Sequence, residues 1–292
     1  PPAASEETTG ESATTGEPAT TVGIPQALHL ASDFPFWRTF FEQLGIAVVE
    51  EAPSREVLSE GKEIQQAEFC APMTNLHGQV ARLLKKADYV FVPMYLGEAE
   101  DHGYCYYTQF SAPVLRSLTV AAGGEGRLIT PALGAVGPSE RIREGQSHLP
   151  WSILEELTRT LRPILPTVNL LQVRSAYAAA RDHVWAARAE LVAAFEERSV
   201  ANSGEISVVL TGRPYTVLDP VMNKGIPRII ARQGVDAFYH DMLPDWPGEE
   251  YEPLLAETAW RYAQDILAAA RHCALTDGMY PVLVTSFKCS PD

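Results

Sequence analysis

The chain has 292 residues, of which 46% are hydrophobic, and its formal net charge is −14. This length is sufficient for two α/β units, and no apolar run approaches the ~20 residues of a membrane-spanning helix. An acidic chain without a long basic segment repels phosphate backbones, which excludes nucleic acid as an expected partner. Four cysteines are too few for a disulfide scaffold and no signal pattern opens the chain, so we expect a reducing, cytoplasmic location.

Residues 1–20 are rich in Pro, Thr, Glu and Gly and have almost nothing large and apolar to bury. This composition predicts a disordered linker, which in turn implies another domain upstream.

Residues 21–150 alternate between strand and helix patterns. TTVGIP is a predicted strand, PFWRTFFEQLG a helix with Pro in its first turn and Gly at its end, and IAVVE the next strand. Ser54 is the expected cap of a helix that reaches about Gln66, and a helix over 73–86 precedes a strand over 89–95. The alternation predicts a first α/β subdomain with a parallel sheet.

Residues 151–202 are predicted to form two connecting helices, the second of 25 or more residues, that join two α/β halves or pack across both. Residues 203–292 resume the strand-helix alternation as a second α/β subdomain. EISVVLTGRPY is a strand and turn, PLLAETAWRYAQDILAAARHCAL a long amphipathic helix, and MYPVLVTSF the last strand. The predicted fold is therefore two Rossmann-like or flavodoxin-like subdomains joined by a helical segment. The tripeptide GIP occurs in each half, a weak sign of duplication.

Three of the four cysteines lie in positions that suit a ligand. Cys70 precedes a helix, whose unpaired N–H groups and dipole favour a thiolate, although a small buried side chain is the alternative. Cys105 lies in a polar loop flanked by tyrosines, and Cys289 follows the last strand. Ligands gather at the carboxyl ends of parallel strands, so we expect these three thiols to converge. Cys273 lies on the apolar stripe of a helix, which predicts a core role.

Three cysteines without a CxxC pair exclude the simplest zinc-finger and thioredoxin patterns. Soft sulfur ligands select zinc, cuprous copper or an iron–sulfur cluster. Zinc would need a fourth ligand, for which His77 or His102 could serve, whereas a cubane with three cysteines leaves one iron open. The spacing leaves these alternatives open.

Five motifs in order carry a family resemblance: VGIPQAL with FPFWRTFFEQLGIAVV, EFCAPMTNLHGQVARLLKKADYVFVP, CYYTQ, VVLTGRPYTVLDPVMNKGIPRIIARQGVDAFYHDMLP and YPVLVTSFKCSPD. They resemble the 2-hydroxyacyl-CoA dehydratase superfamily, nearest its acyl-CoA dehydratase activase-related branch. The resemblance implies a [4Fe–4S] cluster, or a larger fused cluster, bound by Cys70, Cys105 and Cys289 between the subdomains. It also implies an ATP-hydrolysing activase, in this branch often upstream in the same polypeptide, and a truncated C-terminal end here.

Two positions depart from the family pattern. Tyr106 follows Cys105 where the family often has proline, and Ser290 replaces the glycine of the last cysteine motif. Neither change removes a ligand, but the second alters the backbone if that glycine needed positive φ.

Other candidates have both a functional and a structural interpretation. His77 could hydrogen-bond a cluster sulfide or donate a proton, or it could be a core histidine. Arg213 could anchor an anion such as a CoA phosphate, or pair with Asp219, and Gln109 could face the site. GGEG lacks a phosphate-binding pattern, so ATP is expected on a partner.

The leading hypothesis is an iron–sulfur module of a dehydratase/reductase-type system, which passes a low-potential electron from an activase to an acceptor such as an acyl-CoA. As an enzyme it would be a dehydratase or a component of an ATP-coupled reductase. The alternatives are a non-catalytic electron-transfer or regulatory domain, and a zinc-stabilised α/β binding module. Whether two chains form a homodimer stays open.

Overall fold

The structure is a computed structural model. It describes most of the chain, in these ranges: 20–65, 67–97, 103–121, 123–134, 137–138, 151–201, 204–244, 253–254 and 257–285. The predicted linker, His102 and Cys289 lie outside the described residues, except for Thr20 at the end of the linker.

Nine described strands form parallel sheets. They are β1 (Thr21–Pro25), β2 (Ala47–Glu51), β3 (Tyr89–Phe91), β4 (Met94–Tyr95), β5 (Leu128–Ile129), β6 (Ala132–Leu133), β7 (Ser207–Thr211), β8 (Asp236–Tyr239) and β9 (Met279–Leu283). The first sheet has the order β2-β1-β3-β5, a second pairs β4 with β6, and the third has the order β8-β7-β9. All described pairings are parallel, which confirms the predicted α/β class.

The predicted strand over 89–95 is present as two pieces, β3 and β4, that continue one another. Pro93 separates them, as Pro131 separates β5 from β6, and a proline has no N–H to donate to a ladder. Backbone bonds at Val92 and Met94 nevertheless carry the pairing across the break, each at 2.9 Å.

Ten described α-helices surround the sheets. They are α1 (Leu30–Gln43), α2 (Arg55–Ile64), α3 (Ala71–Leu83), α4 (Tyr106–Gln109), α5 (Ser111–Ala121), α6 (Trp151–Leu161), α7 (Leu170–Ala201), α8 (Pro214–Val217), α9 (Ile226–Ala231) and α10 (Arg261–Ala274). A 3-10 turn, His240–Met242, follows β8. Ser54 caps α2 as predicted, because its side chain accepts a hydrogen bond from the Val57 N–H. None of the described helices is long and apolar enough to span a bilayer.

Two predicted helix starts are wrong. Helix α1 begins five residues before Pro35, which lies inside it, because its first turns are buried and Asp33 accepts a 2.7 Å bond from the Tyr95 hydroxyl. Helix α10 begins at Arg261, not near 253. Trp260 is extended there because it forms a β-bridge with Gly103, and this tertiary pairing overrides the helical pattern.

The long helix α7 spans both sheets, as one of the two predicted arrangements required. Val173, Ala176 and Ala180 belong to the core cluster around the first sheet. Phe195, four turns later, belongs to the cluster around the third sheet. The subdomain boundaries at 150 and 202 stay predictions.

The two halves share the order in which their first strands pair, with the first strand central and the next two on either side. The repeated GIP does not mark that likeness. Gly23–Pro25 lies in strand β1, whereas the second copy begins helix α9 after Gly225 in the left-handed conformation, with φ of 75°.

Helices α2 and α3 cross with their backbones in contact at Gly61 and Gly78. A Cβ at Gly61 would lie 2.0 Å from the Thr74 carbonyl oxygen, so alanine there has no room. Although alanine favours helix intrinsically, we expect Gly61→Ala to lower the free energy of unfolding by about 1–3 kcal/mol. Urea denaturation checks this, with Gly134→Ala as the matched control, because no atom lies within 4 Å of a Cβ there. Equal stability of the two variants would contradict the close crossing.

His29 is fully buried at the carboxyl end of β1, and its Nε2 contacts the Pro93 carbonyl at 2.8 Å. Burial lowers the pKa of His29 to about 4 from 6.5, against the raising effect of that hydrogen bond. Between pH 6.5 and 4, His29 is protonated in the unfolded chain and neutral in the folded protein. Its titration therefore lowers the free energy of unfolding as pH falls through this range, by about 3 kcal/mol in all. We expect His29→Gln to flatten the dependence of unfolding free energy on pH in this window. The same slope in both proteins would show that His29 is not responsible.

Candidate metal centre

Cys70 occupies the N-cap position of helix α3. Its backbone is extended, with φ of −64° and ψ of 154°, and its side chain is half-buried. Helix α2 precedes Cys70 in the chain, and helix α3 follows it, as the sequence predicts. Since α3 runs back to the start of β3, its first turn nevertheless lies at the carboxyl edge of the sheet.

Cys105 also occupies an N-cap position, at the start of the short helix α4. Its carbonyl accepts hydrogen bonds from the N–H groups of Thr108 and Gln109 at 2.8 and 3.1 Å. Gln109, predicted to face the site, instead donates through Nε2 to the Tyr104 carbonyl at 2.6 Å. That bond fixes the loop that carries Cys105, which is half-buried.

The two cysteines converge on the same two phenols. Burial raises the pKa of Tyr107, and the negative charges of Cys70 and Cys105 raise it further. Burial likewise raises the pKa of Tyr215, and both cysteines add to this against the opposing charge of Arg213. Tyr107 lies in the first half and Tyr215 in the second, so the thiols of Cys70 and Cys105 lie near the contact between the halves.

Backbone and side-chain bonds hold this contact in place. Gly103, two residues before Cys105, accepts from the Arg261 N–H at 3.0 Å and donates to the Ala259 carbonyl at 2.9 Å. Asn75, in the helix that begins after Cys70, donates through Nδ2 to the Asp219 carboxylate at 3.1 Å. Both cysteine-bearing segments are therefore bonded to the second half.

Arg213 is the second residue after β7, and it is 3% exposed. It donates to the Tyr215 hydroxyl at 3.0 Å. Asp219, the predicted partner of Arg213, instead accepts from Asn75 and from the N–H groups of Val221 and Met222. Arg213 thus places a positive charge beside the phenol that both cysteines affect.

His77 lies on helix α3 and contacts Phe69, the residue before Cys70. Its Nδ1 contacts the Met73 carbonyl at 2.7 Å, and its ring stacks on Phe69 with centroids 5.0 Å apart. Phe69 in turn contacts the edge of Tyr107. Burial lowers the pKa of His77, with the hydrogen bond to Met73 opposing, so the ring is neutral in the folded protein at pH 7. The ring lines a cleft of about 460 Å³ between α3 and α5.

The pairing of β9 with β7 shows where the last described residues before Cys289 lie. Thr211, the last residue of β7, pairs with Leu283, and its carbonyl accepts from the Val284 N–H at 2.8 Å. The chain therefore leaves β9 beside Gly212, next to Arg213. Cys289 is four Cα–Cα steps beyond Thr285, the last described residue, a reach of up to ~14 Å.

Comparison with protein families decides the classification. The family described as "CoA enzyme activase uncharacterised domain" (DUF2229) matches residues 21–243, about three quarters of the chain. The chain belongs to this family. The matched segment includes Cys70, Cys105 and Arg213, and it ends before the last strand.

The other comparisons add no functional argument. No curated protein matches this chain. One similar solved structure is titled "Structure of the SBP FpvC from pseudomonas aeruginosa in complex with Mn2+", with 12% identity and a TM-score of 0.31 over 94% of this chain and 92% of that one. A likeness at this TM-score supports no conclusion about this family domain.

Cys273, which follows the matched segment, has the predicted core role. Its side chain is 2% exposed, and it packs in the cluster with Phe195, Phe238 and Met279. Burial raises the pKa of this thiol to about 11, so it stays protonated at neutral pH.

Sequence reasoning missed four buried polar groups on helices α3, α4, α5 and α8. Their atoms Asn75 Oδ1, Thr108 Oγ1, Ser111 Oγ and Thr216 Oγ1 have no hydrogen-bond partner among the described residues. Serine and threonine in helices usually bond the preceding turn, and buried polar atoms are normally satisfied. No sequence signal distinguishes these four from ordinary helical side chains.

Within the described part of the chain, no three His, Cys, Asp or Glu side chains are close enough to hold one metal ion. Cys70, Cys105 and His77 are all described, so His77 does not complete a zinc site with them. This finding does not bear on the three-cysteine set, because Cys289 lies outside the described residues.

Proposed function

We propose that this domain binds a [4Fe–4S] cluster through Cys70, Cys105 and Cys289, and that it receives a low-potential electron from an ATP-hydrolysing activase for an acceptor such as an acyl-CoA. The single observation that carries the proposal is that the segments bearing Cys70 and Cys105 are both bonded to the second half, through Asn75 with Asp219 and through Gly103 with Arg261. When bound, such a cluster would supply one-electron chemistry at low potential.

The donor set suits an iron–sulfur cluster better than a hard cation. Thiolates are soft ligands, and both described cysteines occupy helix N-cap positions, where backbone N–H groups favour negative sulfur. The chain leaving β9 passes next to Arg213, within reach of the same region for Cys289. These features support a common centre for the three thiols.

The unpartnered hydroxyls favour the same interpretation. Thr108 and Ser111 follow Cys105 on helices α4 and α5, and Thr216 follows Tyr215 on α8. A buried hydroxyl without a partner costs about 1–3 kcal/mol, and a sulfide or thiolate acceptor would remove that cost. Hydrogen bonds of this kind raise the potential of a cluster.

Arg213 has a clear role in such a centre. Its buried guanidinium bonds Tyr215 and lies in a region that would gain negative charge when the thiolates assemble. A fixed positive charge stabilises the reduced, more negative state of the centre. This role is close to the predicted role of Arg213 as an anchor for an anion, and it needs no contact with Asp219.

Anaerobic purification followed by analysis of iron, acid-labile sulfide and zinc tests the proposal. We expect about four irons and four sulfides per chain for one cubane, with visible absorbance that bleaches on reduction. Stoichiometric zinc without sulfide would overturn the proposal in favour of a zinc-stabilised binding module. A change in the EPR signal of the reduced protein on addition of an acyl-CoA would separate an enzyme from an electron carrier.

A further inference from the structure

A second cavity, of about 280 Å³, lies between elements of the two halves. Helices α1 and α7 form one side, and α8, the 3-10 turn and α10 form the other. Most of the wall is aliphatic, with Pro35, Val184, Leu191 and Leu218 among its members. None of its residues belongs to the candidate metal centre. Clefts of this kind, apolar with a few convergent polar groups, are the usual form of small-molecule sites.

Two neighbouring polar groups in this cavity have no partner. His240 is 7% exposed, and its buried Nδ1 atom makes no hydrogen bond with any described residue. Asp241 is half-buried, and its Oδ1 atom is buried and equally unpartnered within the described chain. A carboxylate only accepts hydrogen bonds, and a neutral imidazole accepts through the nitrogen that lacks the proton. The cavity therefore presents one obligate acceptor, Asp241 Oδ1, and one ring nitrogen, His240 Nδ1, that accepts in the tautomer protonated at Nε2.

The turn that carries these acceptors is held in place independently of any ligand. Arg188 of α7 donates to the Asp241 carbonyl at 2.8 Å and to the Leu243 carbonyl at 3.3 Å. The guanidinium is thus engaged by the backbone on both sides of the turn. Such preorganisation reduces the cost of binding a ligand.

The charge of the lining selects the class of ligand. Asp241, Asp265 and Arg188 all line the cavity, and the Arg188 guanidinium already donates to two backbone carbonyls. Two carboxylates against one guanidinium disfavour anions such as carboxylates and phosphates. His240, Asp241 and Asp265 are not close enough together to hold a metal ion, since no such group of three exists among the described residues. What remains is an organic molecule with an apolar body and a donor-rich, positively charged head.

We propose that this cavity binds a small organic ammonium ion, with the ammonium donating to His240 Nδ1 and Asp241 Oδ1 and its hydrocarbon part against the aliphatic wall. This binding site goes beyond the proposed electron-transfer function and does not depend on it.

Titration calorimetry on the full chain with three probes of one shape tests the proposal. Cyclohexylammonium, cyclohexanol and cyclohexanecarboxylate share a ring and differ in the head group. We expect saturable binding of the ammonium at one site per chain, at least tenfold tighter than the alcohol, and no measurable binding of the carboxylate. Equal affinity for ammonium and alcohol, or no saturable ammonium binding, would overturn the proposal.

Two variants localise the binding. Asp241→Asn keeps the size of the side chain and removes its charge, so affinity for cyclohexylammonium should fall at least tenfold. Ala187→Phe places a large ring from α7 in the cavity and should abolish binding, whereas Ala186→Phe, on the same helix but outside the lining, should leave it unchanged. Unchanged affinity in both Asp241→Asn and Ala187→Phe would show that the ammonium binds elsewhere. Melting temperatures confirm that each variant is folded.

Discussion

Replacing either Cys70 or Cys105 with serine will reduce the iron content of the anaerobically purified protein by roughly tenfold or more, because even indirect supports of a metal site cost that much. The charges of both side chains raise the pKa of Tyr107 and of Tyr215, which supports the proposal that both are ligands of one centre. Serine keeps the size and polarity of the side chain and removes the soft ligand. Iron and acid-labile sulfide per folded chain are the quantities to measure.

Cys273→Ala is the matched control for these variants. Its thiol is buried among Phe195, Phe238 and Met279, away from the residues of the candidate centre, and burial keeps it protonated. Iron content should therefore equal that of the unaltered chain. An equal loss in Cys273→Ala, or full retention in both Cys70→Ser and Cys105→Ser, would show that the assigned ligands are wrong.

Asn75→Asp will lower the free energy of unfolding by about 3–5 kcal/mol at neutral pH. Asn75 is 2% exposed and donates to Asp219, which is 5% exposed and whose pKa burial already raises, against two backbone hydrogen bonds. A second carboxylate there would remove the donor and place two negative charges in contact. The hydrogen bond between the halves would be replaced by repulsion.

The same change has a definite pH dependence. Two carboxylates in contact raise the pKa of one of them, so the folded variant binds a proton that the unfolded chain releases. Its deficit in stability should therefore shrink as pH falls from about 7 to about 5, measured by urea denaturation. The exchanged pair, Asn75→Asp with Asp219→Asn, restores one donor and one carboxylate and should recover most of the stability. A single variant as stable as the unaltered chain would contradict the contact between α3 and the second half.

The sequence predicts the order of strands and helices because each rests on local pattern: β-branched runs, a Ser54 cap, glycines after helices. It does not predict where helix α10 begins, because that depends on the Gly103–Trp260 bridge between segments far apart in the chain. The predicted start of α1 is wrong for a similar reason. The hydrogen bond between Asp33 and Tyr95 stabilises a first turn that Pro35 alone would end.

In the candidate centre, too, the sequence predicts some features and not others. Neighbouring residues in the sequence predict the surroundings of three cysteines: Cys70 before a helix, Cys105 among tyrosines and Cys273 on an apolar stripe. The partner of Arg213 is not predicted, because the sequence offers Tyr215 two residues later and Asp219 six residues later. Only the turn after β7 determines which of them the guanidinium contacts. The unpartnered hydroxyls likewise depend on burial, which helix periodicity does not resolve for Thr108 and Ser111.

Iron-edge anomalous diffraction from anaerobically grown crystals of the whole chain is the most direct measurement of the central claim. The account predicts one strong iron peak within bonding distance of the sulfurs of Cys70, Cys105 and Cys289, with Cys273 remote from it. An iron-free centre, a zinc peak in its place, or a Cys289 sulfur remote from the other two would contradict it.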